Sequence, residues 1–252
     1  MAPAAHLSSV EGIALQTIGL SAGYQGSPVV HDISIAVSPG EVVSIVGPNG
    51  SGKSTLLKSI VGVVEVLGGQ VLIGERDVTG WQPENVARIG VGYVPQVDDV
   101  FGPLTVKENL EMGGYLLRPR EVPARVEHVL KVFPQLGRMI GRRAGKLSGG
   151  ERKMLAMGRA LMLEPALVVL DEPTANLAPI IAGSVLREHV RQLAATGASV
   201  LIVEQRARAV LEISDRTYVL GGGQLRMEGT PEQLGASPEF VESFLGGTVN
   251  RP

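Results

Sequence analysis

One nonapeptide, Gly47-Pro48-Asn49-Gly50-Ser51-Gly52-Lys53-Ser54-Thr55, limits what this chain can fold into more than any other stretch. It follows the apolar run Val42 to Val46 and precedes a helical pattern from Leu56 to Val64. Glycines at 47, 50 and 52 let the backbone curl until several amides point into one concavity, at the positive end of the next helix dipole. That concavity suits a di- or triphosphate. Lys53 would reach the outer phosphates as a point charge, and the Ser54 hydroxyl would ligate a magnesium ion bridging the last two. A loop that merely turned the chain would not need the Gly-x4-Gly-Lys-Ser spacing between strand and helix.

Composition narrows the possible partners. A chain of 252 residues can bury about three quarters of its unfolded surface, enough for one compact unit with an inserted lobe. With 23 basic against 25 acidic residues, nothing suggests a surface for nucleic acid, so any phosphate affinity is local. The absence of cysteine excludes disulfides, thiolate metal sites and thiol catalysis. Residues 1–11 read as a mobile tail, without the basic start and apolar core of a secretory signal. Even Leu56 to Leu67 is broken by Lys58 and Glu65, so work at a membrane requires another chain to carry this one there.

The remaining pattern alternates. Ile13 to Leu20 and Ile33 to Val37 read as strands about a turn at Gly23 to Pro28, giving a small antiparallel sheet. Tyr24 lies in that turn, where its ring could pack locally or stack on a base. Gln70 to Ile73 and Gly90 to Val94 read as strands separated by a turn-rich stretch, Gly74 to Pro83, and the second ends at Pro95-Gln96. From Asp98 to Gly145 the pattern turns helical. Thr105 and Glu108 form a capping-box pair, and Val126, Val129, Leu130 and Phe133 recur at helical spacing before Pro134 and Gly137. Such a block reads as an inserted helical lobe.

Leu147-Ser148-Gly149-Gly150-Glu151 opens the next helix, Arg152 to Leu163. Ser148 and Glu151 make a second capping box, which alone accounts for them. Two glycines at a helix start also leave bare amides facing outward, which would suit a phosphate held here or by a neighbour. Ala166 to Leu170 is a continuous apolar run ending in Asp171-Glu172-Pro173, the signature of a parallel strand buried on both faces. Its carboxyl end shares the edge from which the phosphate loop leaves. Asp171 is placed there to hold magnesium, and Glu172 to take a proton from an attacking water. A helix from Ile180 to Ala195, with Ile181, Val185 and Leu193 on one side, leads to a strand, Ser199 to Val203, that brings Gln205 to the same edge. A hairpin, Thr217 to Leu220 with Gln224 to Glu228, and short helices near Pro231 and Pro238 complete the chain.

Taken in order, Tyr24, Gly47 to Thr55, Gln96, Leu147 to Glu151, Asp171-Glu172 and Gln205 resemble the nucleotide-binding subunit of ABC transporters. The resemblance spans nearly the whole chain. It implies an α/β fold: a P-loop NTPase (RecA-like) core with a mostly parallel sheet, an N-terminal antiparallel β-subdomain and an inserted α-helical subdomain at 98–158, all within one domain at 12–248. It further implies an ATPase using ATP and Mg2+. Tyr24 would stack on adenine and Gly47 to Thr55 would bind the phosphates, while Ser54, Gln96 and Asp171 would serve the metal. Glu172, Gln96 and Gln205 would serve catalysis, and Ser148, Gly149 and Gly150 would meet the γ-phosphate held by an opposite subunit.

Within the family, Tyr93-Val94-Pro95-Gln96, Leu104-Thr105-Val106-x-Glu108-Asn109-Leu110, Leu177-Ala178-Pro179 and Val203-Glu204-Gln205 are most similar to ATP-binding subunits of branched-chain amino acid importers. The partners so implied are permease subunits, a second ATP-binding subunit (a related chain or a second copy) and, indirectly, a solute-binding protein outside the cell. No nucleic acid is implied, and the location would be cytoplasmic, on the inner face of the membrane. Ala178 and Gln205 depart from the wider ABC pattern, where Asp and His are usual, whereas Asn176 and Arg206 depart from the importer subgroup itself, where Gly and Asn are usual. Importers of urea or amides, and ABC-type ATPases acting on nucleic acid or ribosomes, share most of these motifs. A phosphate-loop kinase or GTPase would have to treat Leu147 to Glu151 as a mere cap.

Overall fold

The structure, a computed structural model, describes residues 10–245. Its strands are β1 (Leu15–Tyr24), β2 (Ser27–Ile33), β3 (Ala36–Val37), β4 (Val42–Val46), β5 (Glu65–Ile73), β6 (Arg76–Asp77), β7 (Val91–Val94), β8 (Leu167–Asp171), β9 (Ser199–Glu204), β10 (Arg216–Gly221) and β11 (Gln224–Gly229). The helices are α1 (Lys53–Ile60), α2 (Pro83–Arg88), α3 (Val106–Gly113), α4 (Val122–Val132), α5 (Pro134–Gly137), α6 (Gly149–Leu161), α7 (Pro179–Ser184), α8 (Arg191–Ala194), α9 (Ala207–Leu211), α10 (Pro231–Gly235) and α11 (Pro238–Phe240). A π-type turn, Val185–Val190, joins α7 to α8. Most of the expected tail lies outside the described residues; Val10 donates its amide to Thr196 O at 2.9 Å.

The unalternating apolar runs explain the layering. Every residue of β4, β8 and β9 is buried, and successive side chains must point to opposite faces of a strand. Val42 and Val46, Val168 and Leu170, and Val200 and Ile202 therefore enter one apolar cluster with α3, α4 and α6. Val43 and Ile45, Leu167 and Val169, and Leu201 and Val203 enter a second, shared with α1 and the antiparallel sheet. The parallel sheet is the middle layer, in the order β11-β10-β4-β9-β8-β7, with only β11 antiparallel. The carboxyl ends of β4, β7, β8 and β9 consequently open on one edge.

The smaller sheet runs β2-β1-β5-β6, with β3 also paired to β1. Gln25 and Gly26, at φ 52° and 74°, make the two-residue turn between β1 and β2. The second strand thus lies upstream of the expected Ile33 to Val37. Asp32 at φ 52° bends the chain there, and the Thr17 hydroxyl bridges Ile33 O (2.9 Å) and the Ile35 amide (3.1 Å) before β3 begins.

Two further expectations shift. The strand expected from Gln70 starts at Glu65, because pairing with β1 extends it through Gly68 and Gly69, which carry no strand propensity of their own. Of the three residues expected on one side of the helix from Ile180, Val185 and Leu193 are buried with Leu186 and Val190, whereas Ile181 is exposed, as is Ile180. Helix α2, at the end of the turn-rich stretch, was hidden by the proline that opens it.

Candidate active site

The loop from Gly47 to Thr55 leaves β4 and becomes the first turn of α1. A Cβ on Gly47 would stand 2.2 Å from the Leu220 carbonyl oxygen, so the wall of β10 admits only glycine there. Gly52 has φ 96°, a left-handed conformation that costs other residues about 1–2 kcal/mol. The amides of Gly50, Gly52, Lys53 and Ser54 have no acceptor among the described residues, leaving a nest of donors. Lys53 is buried, and its Nζ donates to the carbonyls of Gly47 (2.9 Å) and Pro48 (3.0 Å) while standing 3.8 Å from Glu172 Oε1. Burial lowers its pKa, and the carboxylates of Glu172, Asp171 and Glu204 oppose that shift.

Residues from the other strand ends converge on this loop. Asp171 Oδ1 accepts from the Ser54 hydroxyl at 2.8 Å, and Asp171 Oδ2 lies 3.4 Å from the Tyr93 hydroxyl. Burial, and next the Asp171 charge, push the Tyr93 phenol upward, so it stays a donor. Glu172 is 6% exposed, and its Oε2 accepts from both Gln96 Nε2 and Gln205 Nε2, each at 2.8 Å. Its backbone is left-handed, with φ 45°. Because Gln96 turns its Nε2 to a carboxylate, its carbonyl oxygen remains for a metal. Tyr24, at the end of β1, is 50% exposed.

Ser148, Gly149 and Gly150 are not part of this convergence. Both halves of the capping box form: the Glu151 amide donates to Ser148 Oγ (3.3 Å) and the Ser148 amide to Glu151 Oε2 (2.7 Å). A Cβ on Gly149 would stand 2.5 Å from Leu177 Cδ2, so a larger residue there would have to displace that side chain. The cavity of about 590 Å³ beside these residues is lined by Gln96, Lys153 and residues 175–178, and by none of 47–55.

Two of the departures, Asn176 and Arg206, find a structural reason here, and Lys153 and Glu204 take parts that no motif assigned them. Asn176 adopts φ 61°, which explains how it replaces glycine: asparagine tolerates the left-handed region. Arg206 donates to Leu177 O at 2.8 Å, tying the end of β9 to the segment that follows Glu172. Lys153 is buried in α6. Glu204, 2% exposed, accepts from the Thr174 amide (2.9 Å) and hydroxyl (2.7 Å). No spacing distinguishes Lys153 or Glu204 from an ordinary polar residue.

Burial raises the Glu204 pKa above the ordinary 4.5, and the neighbouring Glu172 adds to the rise. A folded pKa above the unfolded one gives stability that is complete below the unfolded value and lost as pH rises through the folded value. Glu204→Gln, neutral throughout, should therefore melt above the wild type at pH 8, with the gap closing toward pH 4. A gap independent of pH in thermal melts would assign the effect to something other than charge.

The ABC transporter family model matches residues 30–175, a segment holding the phosphate loop, Gln96, Ser148 to Gly150, Asp171 and Glu172. The chain belongs to the ABC transporter family. It is accordingly an ATP-binding, ATP-hydrolysing enzyme, and the ABC ATPase fold is the one described above. Two relatives are 39% identical to this ABC ATPase. One is the probable branched-chain amino acid transport ATP-binding protein LivF of Archaeoglobus fulgidus, with 92% of this chain and 98% of the relative aligned. The other is the high-affinity branched-chain amino acid transport ATP-binding protein BraG of Pseudomonas aeruginosa, at 90% and 97%. Among solved structures, the ADP conformation of an ATP-binding cassette of an ABC transporter superposes with TM-score 0.80 at 33% identity, covering 93% of this chain and 99% of that one.

Proposed function

We propose that this ABC ATPase drives uptake of branched-chain amino acids through a membrane permease, bound on the cytoplasmic face of the cell membrane. The names of its 39% identical, nearly full-length relatives support the solute class. Among the described residues no helix is long and apolar enough to cross a membrane, which fits a peripheral subunit. The observation that carries the chemistry is the grip of Gln96 and Gln205 on Glu172 beside the Ser54 to Asp171 contact.

The donor nest of the loop binds the phosphates, Lys53 turns from its two carbonyls to the outer phosphates, and Tyr24 stacks on the adenine. Ser54 and Asp171 are adjacent oxygen donors beside the nest and fit a hard cation, to which the side-chain oxygen of Gln96 would be a third donor. A magnesium ion held there would neutralise charge between the outer phosphates. Glu172 accepts the proton of the attacking water. Gln205 can donate to the γ-phosphate but cannot become a cation, so proton removal rests on Glu172. Because Ser148, Gly149 and Gly150 lie apart from the loop of their own chain, they serve the γ-phosphate of a second ATP-binding subunit, best read as a related chain. The lobe at 98–158 passes closure to the permease through the surface near Phe101 to Leu104, where Phe101 is exposed. A solute-binding protein outside the cell would deliver the amino acid.

Affinity purification from detergent-solubilised membranes should bring down a polytopic permease, and vesicles holding that complex should take up leucine only when supplied with ATP. Uptake of another solute, with leucine ignored, would overturn the solute class. Recovery without any permease would overturn the transport role.

A further inference from the structure

Lys153 is a buried cation that the chemistry above does not use. It stands in α6, four positions after Gly149, with its side chain 9% exposed. Its Nζ donates to the backbone carbonyl of Gln96 at 2.8 Å and lies 2.7 Å from Asp99 Oδ2, as an ion pair. Further along α6, Arg159 donates to the Asp99 carbonyl and lays its guanidinium 4.5 Å from the centre of the Phe101 ring. Helix α6 thus holds the 96–101 loop at both ends.

The held residue is the one whose side chain reaches the reacting carboxylate. Gln96 gives its carbonyl to Lys153 and its Nε2 to Glu172. A shift of the Gln96 backbone by an ångström would break a 2.8 Å hydrogen bond. An apolar side chain of the same length could fill the lysine's space without the desolvation that a buried ion pair incurs. What an apolar side chain could not do is grip a carbonyl.

We propose that Lys153 is a positioning residue: by holding the Gln96 carbonyl it sets the reach of the Gln96 amide onto Glu172. The seating of α6, whose first turn carries Gly149 and Gly150, is thereby read at the carboxylate of the same chain. The proposal rests on Glu172 being the base.

The test compares full-length wild type, Lys153→Met and the double variant Lys153→Met/Asp99→Leu by thermal melting, Mg-ATP titration and steady-state hydrolysis. Lys153→Met should lose stability, because Asp99 loses its contacting cation and keeps only the field of Arg159. The double variant should recover the melting temperature. Both should keep KM for ATP within about twofold and lose about tenfold in kcat, the signature of an interaction felt in turnover rather than in binding. If the double variant recovers kcat together with its melting temperature, Lys153 only neutralises Asp99 and the proposal falls. A raised KM with unchanged kcat would also overturn it, by assigning Lys153 to nucleotide binding. Glu172→Gln measured in parallel separates the two ideas: turnover retained there removes the base, whereas turnover retained in the double variant alone removes Lys153.

Discussion

Glu172→Gln is expected to lower steady-state ATP turnover by about 10²–10⁴-fold, the usual contribution of a general base, while Mg-ATP binding persists. The substitution is close to isosteric, and the local geometry shows why the site should survive it. Gln96 and Gln205 both donate to the same oxygen, Glu172 Oε2. An amide oxygen can take that place and accept both bonds. The amide nitrogen then faces Lys53, whose Nζ keeps the Gly47 and Pro48 carbonyls. Removing a negative charge beside the γ-phosphate should leave affinity equal or higher, and a nucleotide titration run beside the hydrolysis assay reads both quantities. Turnover within a few-fold of wild type would take the proton-accepting role from Glu172.

Lys53→Ala should act on the other quantity. Its ammonium lies within the combined field of Glu172, Asp171 and Glu204. Removing it takes a charged donor from the phosphates and leaves those carboxylates uncompensated where a polyanion must bind. A lost charge-assisted hydrogen bond costs about 1.5–3 kcal/mol, so ATP affinity should fall by about 10- to 100-fold. Lys53→Met, which keeps the stem of the buried side chain, should weaken binding as much with a smaller loss of melting temperature. A dissociation constant within twofold of wild type in either variant would show that the loop amides suffice.

What could be read from the sequence was chemistry confined to neighbouring residues. The phosphate loop, both capping boxes and the hairpin after Thr217 depend on contacts within a few positions, and each is found where its motif stands. Apolar runs without alternation announced β4, β8 and β9, and their parallel pairing put Asp171, Glu172 and Gln205 on the edge of the phosphate loop. The pairings inside the site were not legible. Gln96 meets Glu172 across 76 positions of sequence, and Lys153 meets the Gln96 carbonyl across 57. A lysine in an amphipathic helix looks the same whether it is solvated or holds a loop. The exposure of Ile181 was hidden for a related reason: helical periodicity marks an apolar stripe but not the residue at which a covering layer begins.

The left-handed backbone at Glu172 carries a consequence for how such an enzyme can be improved. At φ 45° a side chain costs about 1–3 kcal/mol that glycine would not incur. Selection for thermal stability alone would favour glycine at this position, and glycine cannot do the proton-accepting work proposed for Glu172. Stabilised versions of the protein must therefore be sought elsewhere, with residue 172 held fixed.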